Sequence, residues 1–140
     1  MQDAIKKAIM QAVKREPLAK TFDMSLILLD TGRSVVEMDY DPAVMNNIYD
    51  RAHGGAVYAL IDEAFETASQ THGTIAVAMN VNVTYVRSPD PETRIRAEAQ
   101  EISCTRKTAL YDIKVFGGDD QLIAVCQALA YRTGKPIPFL

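Results

Sequence analysis

The chain contains no tryptophan, only two cysteines, and no apolar run approaching the roughly 20 residues of a membrane-spanning helix. Cys104 and Cys126 stand alone within apolar segments. Two isolated cysteines exclude a disulfide framework and favour a reducing compartment, so both are interpreted as core residues. No signal peptide is readable at the N-terminus, and we therefore expect a cytoplasmic protein.

Several functional motifs are also missing. There is no nucleophile elbow, no Walker loop and no dinucleotide fingerprint, and the histidines and cysteines lack metal-ligand spacing. The net charge of −3 argues against a nucleic acid or an anionic membrane as the main partner. We therefore predict no metal and no cofactor, and neither a nucleic-acid nor a membrane partner.

The 140 residues, 48% hydrophobic and 24% charged, are enough for one globular domain with a substantial core. Residues 1–20 are predicted to form an N-terminal helix and lead-in, and residues 133–140 a tail. Within the first segment, an amphipathic helix is predicted over residues 3–15, ending near Pro17 and packing against the body of the protein.

The rest of the chain predicts one long helix and six strands. After Gly73 the pattern has a period of two, which places Val77 and Met79 on a face predicted to lie in the core. A single helix wrapped by a curved antiparallel sheet is an α+β fold. The predicted strands cover residues 24–29, 34–40, 75–85, 93–102, 108–116 and 122–132.

The segment from Asn47 to Gln70 organises the fold, because its apolar residues recur at helical spacing. The opposite helix face contains no Lys or Arg, only small residues and acids. Asp62 therefore lies mid-helix without a local cation. It is either an acid that reaches solvent at the helix edge or a carboxylate in a cleft, available as general base or nucleophile. The apolar face comprises Val57, Leu60, Ile61, Ala64, Phe65 and Ala68.

His53-Gly54-Gly55 stands at the start of this helix. Free backbone N–H groups at a helix N-terminus can polarise a carbonyl oxygen, and glycine permits close approach; alternatively, the motif only allows a tight turn. Gly54 and Asp62 are eight residues apart, about 12 Å along a helix. One carbonyl cannot contact both groups of one chain, whereas a two-fold dimer with antiparallel helices would bring them together.

Asn47, His53-Gly54-Gly55 and Asp62, within one loop-and-helix segment, resemble the hot-dog-fold acyl-CoA thioesterases. The subgroup is the phenylacetate-pathway type, related to one branch of 4-hydroxybenzoyl-CoA thioesterases. The resemblance covers about residues 22–132, including Asn82-Val83-Thr84-Tyr85 and Arg106-Lys107-Thr108-Ala109.

The resemblance implies which residues form the active site and what each of them does. Asp62 is the base or nucleophile, Asn47 positions the thioester or water, the Gly54 N–H contacts the thioester oxygen, and His53 orients the loop or lies near the sulfur. It also implies sites shared between subunits of a homodimer or homotetramer. Ala78 lies where some relatives carry a Ser or Thr that holds the attacking water. The residues expected to bind the substrate, a medium-chain or aryl acyl-CoA, are Gly55, Tyr58, Phe65, Met79, Arg87, Arg106 and Lys107.

Two alternatives remain open from the sequence. One is a hydratase or dehydratase on the same fold, although no second acid beside His53 is evident for the usual His–Asp pair. The other is a non-catalytic acyl-CoA-binding protein. Measuring thiol release across a panel of acyl-CoAs separates both from a thioesterase.

Overall fold

A 16-residue helix packs against one face of a six-stranded antiparallel sheet in the computed structural model of the chain, which describes residues 1–140. The predicted α+β arrangement is confirmed. Two short helices within the lead-in and the loop before the long helix were not foreseen. The helices are α1 (Asp3–Val13), α2 (Pro17–Thr21), α3 (Pro42–Met45) and α4 (Gly54–Ser69), and a 3₁₀ turn follows at Gln70–His72.

The four strands that follow α4 are consecutive in the chain but not in the sheet. The third strand pairs with the sixth and forms one edge, so the order across the sheet is β1-β2-β4-β5-β6-β3. Every neighbouring pair is antiparallel. The strands are β1 (Ser25–Asp30), β2 (Arg33–Asp39), β3 (Thr74–Tyr85), β4 (Arg94–Cys104), β5 (Thr108–Phe116) and β6 (Leu122–Pro136).

The main core lies between α4 and the sheet. All six residues of the predicted apolar helix face are buried there. Alanines on β4, β5 and β6 line the facing sheet surface and leave room for the helix. Phe65 meets the buried ring of Tyr111 edge-on, with 5.4 Å between centroids. Burying each large apolar side chain contributes about 1.5–3 kcal/mol, so this interface fixes the position of α4.

A second apolar cluster attaches α1 to the body, as predicted. Ile5, Ile9 and Val13 pack with Leu29 and other buried residues. Gly73 ends the 3₁₀ turn in the left-handed region, at φ 76°. The left-handed backbone conformation favours glycine, and a Cβ at this position would lie 2.8 Å from Cδ1 of Ile5, so that side chain of α1 would have to shift.

The prediction that one face of β3 lies in the core is wrong for part of the strand. Val77 and Met79 are 49% and 59% exposed, whereas Val81 and Val83 pack against the core. The strand lies at the sheet edge, and its register with β6 shifts between Ala78 and Asn80. Period-two alternation identified the strand, but it does not indicate how many side chains of an edge strand the central helix covers.

The two cysteines differ. Cys126 is buried, as predicted, but Cys104 is exposed, and its assignment to the core is wrong. The pairing of β4 with β5 shifts register between Glu101 and Ser103, just before the strand ends at Cys104. None of the helices combines the length and apolar character needed to cross a bilayer.

Candidate active site

The N-terminus of α4 is capped by its preceding histidine. His53 has extended backbone angles, and its Nδ1 accepts a hydrogen bond from the Gly55 N–H at 2.8 Å. The His53 N–H donates to the Met45 carbonyl at 2.7 Å, which ties the loop to α3. No acceptor within the chain receives the Gly54 N–H. The imidazole thus orients the turn, while the Gly54 N–H remains available at the positive end of the helix dipole.

Tyr85, at the end of β3, holds the other side of this turn. Its hydroxyl donates to the Gly54 carbonyl at 2.9 Å. A Cβ at position 54 would lie 3.2 Å from Cζ of the Tyr85 ring, so even alanine would crowd the contact. Sequence analysis assigned Tyr85 no role in the site. Nothing in the spacing of the two residues, 31 positions apart, indicates that they meet.

Asn47 and Asn46 have different local roles. Oδ1 of Asn47 accepts from the N–H groups of Tyr49 at 2.9 Å and Arg51 at 3.2 Å, which fixes the loop and leaves the Nδ2 group as a donor. Oδ1 of Asn46 instead accepts from the Tyr40 hydroxyl. Asn47 lines a cavity of about 390 Å³ together with Gly54, Val57, Tyr85, Val86 and Arg87, among others.

Asp62 is half-buried in the middle of α4 and takes part in no ion pair. Burial raises the pKa of its carboxyl group above the ordinary aspartate value. It borders a second cavity, of about 240 Å³, whose walls include Phe65, Val77 and Ala78. A carboxylate with these properties is a stronger base than an exposed aspartate.

Within one chain, the two halves of the predicted site remain apart. Asp62 lines one cavity, and Asn47 and Gly54 line the other. Eight residues of helix separate Gly54 from Asp62, about 12 Å along the axis, which is beyond the reach of an Asp side chain.

The predicted substrate-binding residues are dispersed. Phe65 lines the Asp62 cavity, Met79 is exposed on β3, and Tyr58 is exposed on α4. Gly55 uses its N–H for the bond to His53. Their roles remain predictions.

The three basic residues expected to bind phosphate also differ in position. Arg87 lines the Gly54 cavity, where its guanidinium donates to Oε1 of Gln121 at 2.7 Å. Arg106 and Lys107 lie in the turn between β4 and β5 and line neither cavity. The Lys107 ammonium instead lies 5.5 Å from the centroid of the Tyr131 ring.

The fold brings His72 beside Glu101 and Cys104, which lie about 30 residues further along the chain, and all three are possible metal ligands. Atoms of His72, Glu101 and Cys104 lie within 4.8 Å of one another. However, Oε2 of Glu101 is 2.7 Å from Nε2 of His72 and also accepts from the Tyr111 hydroxyl at 2.9 Å. These bonds connect the 3₁₀ turn after α4 to the sheet and occupy that carboxylate oxygen, so the cluster has a structural role.

Comparison with known proteins identifies the family to which this chain belongs. The profile described as the Thioesterase superfamily matches residues 49–124, a segment that contains all of α4 together with Gly54 and Asp62. The chain belongs to the thioesterase superfamily. A protein of Archaeoglobus fulgidus, to which an esterase activity is assigned provisionally, is 32% identical over 127 residues, which are 89% of this chain and 80% of that protein.

Structures of related proteins show the same architecture. The E. coli PaaI protein of the phenylacetic acid degradation operon superposes with a TM-score of 0.90 at 26% identity, covering 95% of this chain and 96% of that one. The TT0310 protein of Thermus thermophilus gives 0.80 at 32% identity, covering 84% and 98%. The resemblance to the phenylacetate-pathway type is confirmed, and this thioesterase is a thioester hydrolase with the hot-dog fold.

Proposed function

We propose that this thioesterase hydrolyses acyl-CoA to a free acid and CoA, at sites shared between two copies of the chain. The observation that carries the proposal is Asp62, a half-buried carboxylate with no counter-ion that faces a cavity beside the open edge of β3. The E. coli relative that is 27% identical over 124 residues, covering 89% of this chain and 88% of that protein, is an acyl-coenzyme A thioesterase.

In the proposed reaction the thioester carbonyl oxygen accepts the free N–H of Gly54, which stabilises negative charge as it develops. The Asp62 carboxylate either removes a proton from the attacking water or attacks the carbonyl carbon itself. The Nδ2 group of Asn47 is the donor that holds the thioester or the water. In the general-base route, the C–S bond breaks, the proton taken from water passes to the departing sulfur so that CoA leaves as the thiol, and the acid retains the oxygen from water. In the nucleophilic route, C–S cleavage leaves a mixed anhydride between the acyl group and Asp62. Water then hydrolyses this anhydride, which releases the acid, restores the Asp62 carboxylate and supplies the proton for the thiol. This scheme requires no metal or cofactor.

The separation of the two cavities supports a site made by two chains. A partner related by a two-fold axis would bring its own Asp62 to the Gly54 of the first chain. The exposed edge of β3 supports this arrangement, because a long apolar edge strand is normally paired or covered. We propose a homodimer, alone or as half of a homotetramer, in the cytoplasm.

The proposed substrate is a medium-chain or aryl acyl-CoA. Phe65 provides an apolar wall beside Asp62, and Tyr58 and Met79 are exposed apolar groups that a partner chain would enclose. Arg87 stands at the Gly54 cavity, where it is available to the phosphates of CoA. Arg106 and Lys107 would contribute from the β4–β5 turn.

Thiol release measured across a panel of acyl-CoAs tests the proposal, with Asp62→Asn as the inactive control. We expect turnover by the wild-type protein only, with the highest kcat/KM for medium-chain or aryl groups. Bound CoA without turnover would instead identify an acyl-CoA-binding protein.

Presenting one acyl group on CoA, on pantetheine and on a carrier protein tests the leaving group. Equal kcat/KM for the CoA and pantetheine thioesters would contradict the proposed contacts between basic residues and the CoA phosphates. A preference for the carrier-protein thioester would exclude CoA as the natural leaving group.

A further inference from the structure

Three carboxylates meet where the N-terminal segment contacts α4. Glu16 lies between α1 and α2, and Glu63 and Glu66 lie one turn apart on α4. One carboxylate oxygen of each residue lies within 4.8 Å of the other two. Glu63 is only 3% exposed, whereas Glu16 is half-buried and Glu66 is exposed. The cluster therefore combines one deeply buried acid with two that reach towards solvent.

No group of the protein compensates this charge. Oε1 of Glu63 is buried and has no hydrogen-bond donor. Arg15 lines the adjacent cavity but forms no ion pair within 4.0 Å, and Asp62 adds a further acid on the same helix. Because an unpaired buried carboxylate is strongly unfavourable, the charge must be neutralised by a proton or by a bound cation.

The surroundings offer space for a hydrated ion. A cavity of about 420 Å³ lies against the cluster, and its lining residues include Glu16 and Glu66. Such a volume accommodates several water molecules, which could complete a coordination shell. The remaining walls, formed by α1 and by Phe139, are mostly apolar and would hold the water on the side of the carboxylates.

We propose that Glu16, Glu63 and Glu66 bind one divalent cation of the oxygen-preferring class, with Ca²⁺ favoured over Mg²⁺. Ca²⁺ takes six to eight oxygen ligands at roughly 2.3–2.6 Å, so oxygens up to 4.8 Å apart fit on opposite sides of the ion. Mg²⁺ requires shorter bonds in strict octahedral geometry and gives up water reluctantly. The bound ion connects the α1–α2 junction to α4, and Glu66 also borders the Asp62 cavity.

Calorimetric titration of the chelator-treated 140-residue chain with CaCl₂, repeated with MgCl₂, tests the site. We expect one Ca²⁺ per chain, tighter binding of Ca²⁺ than of Mg²⁺, and a higher Tm with Ca²⁺. Glu63→Gln and Glu16→Gln should abolish binding and the shift in Tm. The control Asp119→Asn removes one exposed carboxylate in the β5–β6 turn and should leave both unchanged.

Two results would overturn the proposal. The first is the absence of heat and of any Tm shift when the folded wild-type protein is exposed to millimolar Ca²⁺, which would show that a proton alone neutralises Glu63. The second is Ca²⁺ binding that survives in folded Glu16→Gln with unchanged affinity. Because Glu16 is only half-buried, this variant keeps the test valid even where Glu63→Gln does not fold.

Discussion

The hydroxyl of Tyr85 donates a hydrogen bond to the carbonyl oxygen of Gly54 at 2.9 Å, so the end of β3 holds the first residue of α4 from outside the helix. His53 restrains the next peptide by accepting from the Gly55 N–H. The orientation of the free Gly54 N–H, the proposed thioester donor, therefore depends on both side chains.

Tyr85→Phe removes only the hydroxyl and keeps the ring beside Gly54. A typical hydrogen bond contributes about 0.5–1.5 kcal/mol, so we expect kcat to fall by roughly 2- to 10-fold. KM should change less, because a positioning residue acts on the transition state. Steady-state thiol release measures both constants. Tyr49→Phe is the matched control, since Tyr49 is 76% exposed. An unchanged kcat in folded Tyr85→Phe would contradict the role of Tyr85 in positioning the Gly54 peptide.

Asp62→Asn should retain the fold and lose roughly 10²–10⁴-fold in kcat, the usual cost of losing a general base. Burial raises the pKa of Asp62, and the reaction needs the ionised form. The kcat/KM of the wild-type protein should therefore decline, as pH falls, at a pH above the ordinary aspartate value. Wild-type turnover in a folded Asp62→Asn protein would eliminate this mechanism. Asp119→Asn serves as the charge control.

Mixing two inactive variants tests whether the site is shared. A dimer of one Asp62→Ala chain and one Asn47→Ala chain contains one site with both groups intact and one with neither. After random exchange of equal amounts, we expect about a quarter of wild-type activity. Subunit exchange is followed by native mass spectrometry. If exchange is complete and no activity returns, each chain carries its own site.

Glu63 should make stability fall as pH rises in metal-free buffer. Its pKa is about 8 in the folded chain, above the ordinary value of 4.5, so the folded state binds more protons between these two values. Stability is then fully present below about pH 4.5 and declines towards pH 8, by at most about 1.4 kcal/mol per unit. Urea unfolding should show this slope in the wild-type protein and a flatter one in Glu63→Gln. Equal slopes would contradict the predicted titration.

Sequence periodicity predicted the elements of this fold better than it predicted their environment. Helical spacing identified six buried apolar residues on α4, because all six face one continuous sheet. The opposite helix face carries the acids of α4, yet one of them, Glu63, is buried, since the N-terminal segment returns to a position beside α4. Such coverage depends on tertiary contacts that local spacing does not specify.

The candidate site also combines residues that local spacing predicts with one that only tertiary contacts reveal. Asn47, Gly54 and Asp62 fall within one loop and helix, so their spacing is visible in the chain. Tyr85 contributes from the end of a strand 31 residues away, and its partner is a backbone carbonyl. Every residue has a backbone carbonyl, so the sequence does not indicate which residue accepts the hydrogen bond from Tyr85. The folded structure is needed to identify the partner.

The open edge of β3 has a practical consequence in a chain without tryptophan. Met79→Trp, at a side chain that is 59% exposed on that edge, would give the protein a single indole fluorophore. Its emission would be red-shifted while the strand faces water and blue-shifted once another surface covers it. Fluorescence recorded along a dilution series would then follow association at the edge directly, without any substrate.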